Sequence, residues 1–229
     1  MKIGLIGAGR LGICLALLIE QAGYEVLASD VRKDYVTALQ NKETTTTEPD
    51  VDKYLSSATK IEFTTNNFRV IEECDLIFTL VATPSLDDGS YNVSAVHQVV
   101  RDFMESGYDL KGKSLIIGCT TNPGDCDKFQ ESLAEYGVDV YYNPEFIAQG
   151  SIIKDLQTAD MVLVGGKGHH VSVIEDIYHK IQLGYSIPSI HFMSPRAAEL
   201  TKIAVNCFLT TKISYANQVG QIMIKDGME

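Results

Sequence analysis

At 229 residues the chain holds one large domain, or one domain and the start of a second. Hydrophobic residues make up 45% and charged residues 21%, enough to build a core and to exclude disorder, collagen and coiled coil. The 19 Lys and Arg face 30 Asp and Glu, and a net charge of −11 repels a phosphate backbone, which excludes nucleic acid as a partner.

In chain order, short apolar runs rich in Ile, Val and Leu fall at residues 3–6, 25–28, 76–81, 115–117, 138–142 and 161–164. Such runs, unbroken by polar alternation, fit strands buried on both faces. Helical patterns separate them at residues 11–22, 33–40, 93–104, 128–136 and 171–181. Strand and helix in alternation predict an α/β chain, a Rossmann-like, doubly wound, mainly parallel sheet with helices on both faces. After residue 193 the pattern changes. Ser194 as N-cap and Pro195 in the first turn open one long helix reaching about residue 225, with Gly220 as its weak point. The expected division is therefore a domain over 1–193 and a helix over 194–229, with no closing strand after it.

The apolar stretch at 15–19 is too short to span a bilayer, and Met1-Lys2 leads into a glycine turn instead of a signal segment. A cytosolic chain with no membrane partner is expected. The five cysteines, Cys14, Cys74, Cys119, Cys126 and Cys207, form no C-x-x-C pair, so most should be buried thiols in a reducing compartment. His169, His170 and His179 lack convergent acidic partners at metal spacing and read as surface residues, with no metal site.

Gly7-Ala8-Gly9-Arg10-Leu11-Gly12 is a G-x-G-x-x-G turn directly after a strand and at the opening of a helix. Its glycines allow a tight turn and close approach of backbone to a pyrophosphate, and the helix N-terminus adds partial positive charge. Asp30 lies 23 residues after Gly7, near the spacing of a carboxylate that accepts adenosine ribose hydroxyls. Strand, turn, helix and acid together predict a dinucleotide site, and Asp30 favours NAD over NADP by repelling a 2′-phosphate. Arg32 and Lys33 beside it soften that preference.

Four further segments stand in a distinctive order: Val81-Ala82-Thr83-Pro84, Cys119-Thr120-Thr121-Asn122-Pro123, Asn143-Pro144-Glu145-Phe146, and the run from Ala198 to Asn206. The first three follow expected strands, at the edge where an open parallel sheet binds its ligands. With them the whole chain resembles the UDP-glucose/GDP-mannose dehydrogenase family, which oxidises the C6 hydroxyl of a nucleotide sugar to a carboxylate with two NAD. The resemblance implies that Thr83 and Pro84 line the nicotinamide side, and that Thr121 helps to hold a catalytic water. It implies that Glu145 assists proton transfer and later thioester hydrolysis, and that Lys202 and Asn206 stabilise the oxyanion at C6. Four residues apart, Lys202 and Asn206 share a helix face, which supports their pairing independently.

Two departures from the family pattern bear on activity. Gln149 stands where the N-P-E-F-x-x-E-G phrase has a second glutamate, keeping a polar contact on the cofactor side but losing the charge. The glycine-rich segment carrying the family's nucleophilic cysteine is absent, as is the second half that grips the nucleotide, so the chain reads as a fragment without complete activity. Cys119 and Cys207 have no adjacent base to activate them. Apolar Leu200, Ile203, Ala204, Phe208, Ile213 and Val219 on the long helix point to a homodimer in the complete protein. Two rival readings are a β-hydroxyacid dehydrogenase, with a similar opening and a Lys-x-x-x-Asn pair, and a non-catalytic NAD-binding or dimerisation module.

Overall fold

The alternating pattern becomes strands feeding helices in the computed structural model, which describes residues 1–44, 46–148, 150–182 and 189–228. The first part runs β1 (Lys2–Ile6), α1 (Arg10–Gln21), β2 (Glu25–Ser29), α2 (Lys33–Gln40), α3 (Val51–Ser57), β3 (Ile61–Thr64), α4 (Asn67–Glu73) and β4 (Leu76–Thr79). The second runs α5 (Ser94–Glu105), β5 (Ser114–Ile117), α6 (Asp125–Leu133), β6 (Asp139–Tyr142), α7 (Ile152–Gln157), β7 (Met161–Gly165), α8 (Val171–Ile181), β8 (Ser189–Met193) and α9 (Pro195–Lys225).

The strands form one sheet in the order β3-β2-β1-β4-β5-β6-β7-β8. Every neighbouring pair is parallel except β6 and β7, which meet antiparallel at Tyr142 and Gly165. From β1 the chain winds outward to β3, then returns to β4 on the other side of β1. That reversal opens a crevice beyond the carboxyl ends of β1 and β4, where an open sheet binds ligands.

Core side chains fill both faces. Leu5, Ile13, Leu17 and Phe78 belong to one buried cluster, and Ile6, Val70, Phe103 and Phe129 to the other. Helix α1 is buried along most of its length, from Gly12 to Glu20, because it lies between the sheet and α3, α7 and α8. Along α9 only Ala198 and Glu199 are buried. Beyond them, Phe208, Ile213 and Tyr215 are 64%, 61% and 73% exposed, a run of apolar surface uncovered within this chain. Among the described residues no helix is long and apolar enough to cross a membrane.

Elements beyond the expected ones are short or lie at the rim: α3, α4, α7, and the strands β3 and β8. Strand β3 mixes polar with apolar residues because it is an edge, and β8 is mostly exposed. Helix α6 starts three residues ahead of its expected onset at 128. Its amides are capped from α9, a tertiary contact that local sequence does not contain.

Candidate functional site

The turn after β1 is built by its glycines. Gly7 has φ +98, and a Cβ there would stand 2.7 Å from the Leu80 carbonyl oxygen. A Cβ on Gly12 would stand 2.0 Å from the Gly7 carbonyl oxygen, so α1 seats directly on the strand end only with glycine at that position. Gly9 differs: outside its neighbours the nearest heavy atom to a Cβ would be Arg32 Nη2 at 4.0 Å, which leaves open space over the helix N-terminus. No side chain caps that terminus, so the first amides of α1 face this space. A crevice of about 710 Å³ extends from it, within the usual size of a ligand pocket, with Gly7, Gly9, Arg10, Leu11 and Asp30 in its wall.

Leu80, Val81, Ala82 and Cys119 line it as well. Thr83 and Pro84 follow directly on Ala82 but do not line the crevice, and Pro84 is held by its carbonyl, which accepts from Asn92 N at 2.9 Å. Arg10 reaches toward the buried Glu48, whose carboxylate accepts from Gly150 N at 3.0 Å. Glu48 thereby ties the glycine turn to the loop after β6, and nothing in its polar surroundings in the sequence marks it for that duty.

Asp30 is only 8% exposed and already engaged. Arg32 donates from Nε and Nη2 at 2.9 Å and from its backbone N at 3.0 Å, while its guanidinium lies 4.2 Å from the centre of the Tyr35 ring. Burial alone would raise the Asp30 carboxyl, but the hydrogen bonds and charge of Arg32 outweigh it and hold the group below the usual carboxylate range. Of about four acceptor positions, three are filled, so a diol brought to Asp30 would have to displace part of the Arg32 contact to gain two acceptors.

The third loop carries Glu145, whose carboxyl lies against the Tyr178 hydroxyl at 2.6 Å. Burial raises it to about 7; the Tyr178 hydrogen bond and the charge of Lys202 oppose the shift. Lys202 Nζ donates to the Glu145 carbonyl oxygen at 2.7 Å and lies 4.5 Å from the centre of the Phe146 ring. Burial lowers the Lys202 pKa, making its ammonium a readier proton donor. Lys202, Asn206 and Phe146 line one cleft of about 570 Å³ together with Asp155. The helix-face expectation for Lys202 and Asn206 is met in position: both face one space.

Thr121 is brought elsewhere. It is fully buried, and its hydroxyl donates to Glu199 Oε1 at 2.8 Å. Glu199, also fully buried, accepts from Gly124 N at 2.6 Å and Cys126 N at 2.9 Å as well, closing the N-terminus of α6. Within the long helix Glu199 looks like one more polar residue, and nothing local marks it, because its partners Thr121, Gly124 and Cys126 lie more than seventy positions away.

Cys14, Cys74 and Cys126 are buried, Cys119 is partly so and Cys207 is exposed. Burial pushes the thiols of Cys14, Cys74 and Cys119 up to about 12 and that of Cys126 further, so none of these four offers a ready thiolate. One histidine differs from its expected surface place. His170 is buried, with Nδ1 2.8 Å from Ser114 Oγ, because it opens α8 against the start of β5. Gln149 lies outside the described residues.

Residues 1–182 match a family model described as the UDP-glucose/GDP-mannose dehydrogenase family, NAD binding domain. A UDP-glucose 6-dehydrogenase of Rhizobium meliloti is 28% identical, over 99% of this chain and 54% of its own length. Among solved structures, a UDP-glucose dehydrogenase from the archaeon Pyrobaculum islandicum superposes with TM-score 0.90 at 26% identity, covering 100% of this chain and 54% of that one. A GDP-mannose dehydrogenase from Pseudomonas aeruginosa shares the fold at TM-score 0.89 and 21% identity, again with 54% of its chain covered. The chain thus spans about half the length of these relatives.

Proposed function

The chain belongs to the UDP-glucose/GDP-mannose dehydrogenase family, with NAD as cofactor, and we propose that it forms the cofactor-holding part of an enzyme oxidising C6 of a nucleotide sugar such as UDP-glucose to the uronic acid. The observation that carries this reading is the shared cleft of Lys202, Asn206 and Phe146, whose loop leaves the same carboxyl edge of the sheet as the glycine turn. The family match sets aside a β-hydroxyacid dehydrogenase.

NAD, when bound, supplies the hydride acceptor. The Gly7–Gly12 turn and the α1 amides hold its pyrophosphate, and Asp30 its adenosine ribose. Lys202 and Asn206 hold the C6 oxygen as its proton leaves, so charge that develops there meets donors already in place. Glu145 takes part in proton transfer as a base once ionised. With its carboxyl raised to about 7, kcat/KM of the complete enzyme should climb through neutral pH, and Glu145→Gln should remove that limb of the profile.

An alcohol-to-acid oxidation needs two hydride transfers, and in the family a cysteine holds the intermediate aldehyde. Thr121, Glu145, Lys202 and Asn206 supply no thiolate, and the cysteines nearest the site are unactivated or turned away. Incubating this chain with NAD and UDP-glucose, GDP-mannose or UDP-N-acetyl sugars is therefore expected to give no NADH above background. Uronic acid made by the chain alone and abolished by Lys202→Ala would contradict this division of labour.

We further propose that the exposed face of α9 is covered by a second copy in the complete cytoplasmic protein. Leu200, Phe208 and Ile213 are 58%, 64% and 61% exposed, too much apolar surface for an isolated helix to leave in water. Sedimentation of the complete protein should give a dimer at micromolar concentration, and a monomer throughout would require that face to be covered within one chain.

A further inference from the structure

Three oxygens meet in succession at the base of the Glu145 loop, and their protons do not suffice for an ionised carboxyl. Tyr178 Oη is 2.6 Å from Glu145 Oε1 and 2.5 Å from Asn143 Oδ1. A phenol carries one proton and donates to one of these at a time. The Asn143 amide is fixed, because its Nδ2 donates to the Leu163 carbonyl at 2.9 Å and turning it round would set oxygen against oxygen. If Glu145 is ionised, one contact lacks a proton. If Glu145 is neutral the chain closes: its O–H donates to Tyr178, and Tyr178 donates to Asn143.

We propose that Tyr178 switches its hydroxyl between Asn143 and Glu145, accepting from the neutral acid and donating to the carboxylate, so that Glu145 exchanges its proton without losing its hydrogen bond. Tyr178 is thus a positioning residue, and its use in catalysis rests on the acid–base role proposed for Glu145. Among the described residues, the charged and titratable groups facing Glu145 are Tyr178 from α8 and Lys202 from α9. Burial and the neighbouring carboxyl push the Tyr178 phenol well up, so it stays protonated throughout the titration of Glu145.

The two partners of the hydroxyl make opposite demands. A hydrogen bond to a charged group is stronger than one to a neutral group, so Tyr178→Phe should raise the Glu145 midpoint by about one pH unit, a tenfold change in its ionisation constant. Asn143→Leu removes the competing acceptor, leaves the phenol proton to Glu145 alone and should lower the midpoint by roughly half a unit. A side chain that merely fills space would not produce shifts of opposite sign.

The experiment is a carbon-13 NMR titration of the carboxyl-labelled chain around neutral pH, without NAD or sugar, with the Glu145 signal assigned by its loss in Glu145→Gln. Up for Tyr178→Phe and down for Asn143→Leu is the expected pair. A midpoint unchanged or lowered by Tyr178→Phe, or raised by Asn143→Leu, overturns the switch. Should Asn143→Leu fail to fold, 3-fluorotyrosine at position 178 gives the second arm: a stronger donor of nearly the same shape lowers the midpoint, and an unchanged or raised one overturns the proposal. Because no cofactor is present, these midpoints stand or fall independently of NAD binding, and loss of the dehydrogenase reading would not move them.

Discussion

Glu199→Ala is expected to cost about 3 kcal/mol of folding stability, the largest effect of any single polar substitution in the site. The carboxylate is fully buried and serves three donors: Thr121 Oγ1 at 2.8 Å, Gly124 N at 2.6 Å and Cys126 N at 2.9 Å. Two of these are amides at the start of α6, which have no partner within the helix. Alanine would leave all three donors enclosed, at roughly 1–3 kcal/mol for each that water does not reach. Glu199→Gln should lose about half as much, since its amide oxygen still accepts while its NH2 meets a donor. Urea unfolding of the two variants checks this: equal midpoints for wild type and Glu199→Ala would mean that the cap contributes nothing and that α9 is not anchored through it.

Gly12→Ala is expected to weaken NAD binding by about a hundredfold or more, roughly 3 kcal/mol, and to destabilise the fold as well. Its new Cβ would stand 2.0 Å from the Gly7 carbonyl oxygen and 3.2 Å from Leu5 Cδ2. Backbone has to give, and α1 would lift from β1, costing about 1–3 kcal/mol as overpacking does. Gly9→Ala separates the two effects. With open space around its Cβ, stability should stay within about 0.5 kcal/mol of wild type, while the added methyl stands where the backbone should admit a pyrophosphate. Binding lost with stability kept at Gly9, against loss of both at Gly12, is the expected pattern; calorimetric titration and thermal unfolding of each variant measure it.

Local pattern carried much of this. The glycine turn and Asp30 were legible because strand, turn, helix and acid must occur in that order for backbone to approach a dinucleotide. The buried strands were legible because sheets covered on both faces favour continuous apolar runs, whereas β3 and β8 lie at the edges, where that rule lapses. Lys202 and Asn206 were picked out by the family resemblance, and helical spacing supported only that they share a face. Glu48, Tyr178 and Glu199 were not legible, because each acts through a partner distant in sequence: Glu199 meets Thr121 across 78 positions, and Glu48 meets Gly150 across 102. Thr83 and Pro84 show the converse: the resemblance put them on the nicotinamide side, whereas the crevice takes Val81 and Ala82 of that loop and not these two. The Asp30–Arg32 pairing lay between these cases: proximity was visible, but the bidentate geometry was not.

That pairing also sets the most direct test of the site. Calorimetric titration of the chain with NAD and with NADP, repeated on Asp30→Ala, measures whether the carboxylate selects the ribose diol. Wild type should bind NAD in preference to NADP. Asp30→Ala should weaken NAD about tenfold or more, as expected for loss of a charge-assisted hydrogen bond, and should tighten NADP, because Arg32 is released to meet a 2′-phosphate. Equal or tighter NADP binding by the wild-type chain, or NAD binding indifferent to Asp30, would contradict the assignment of this crevice as an NAD site read through Asp30.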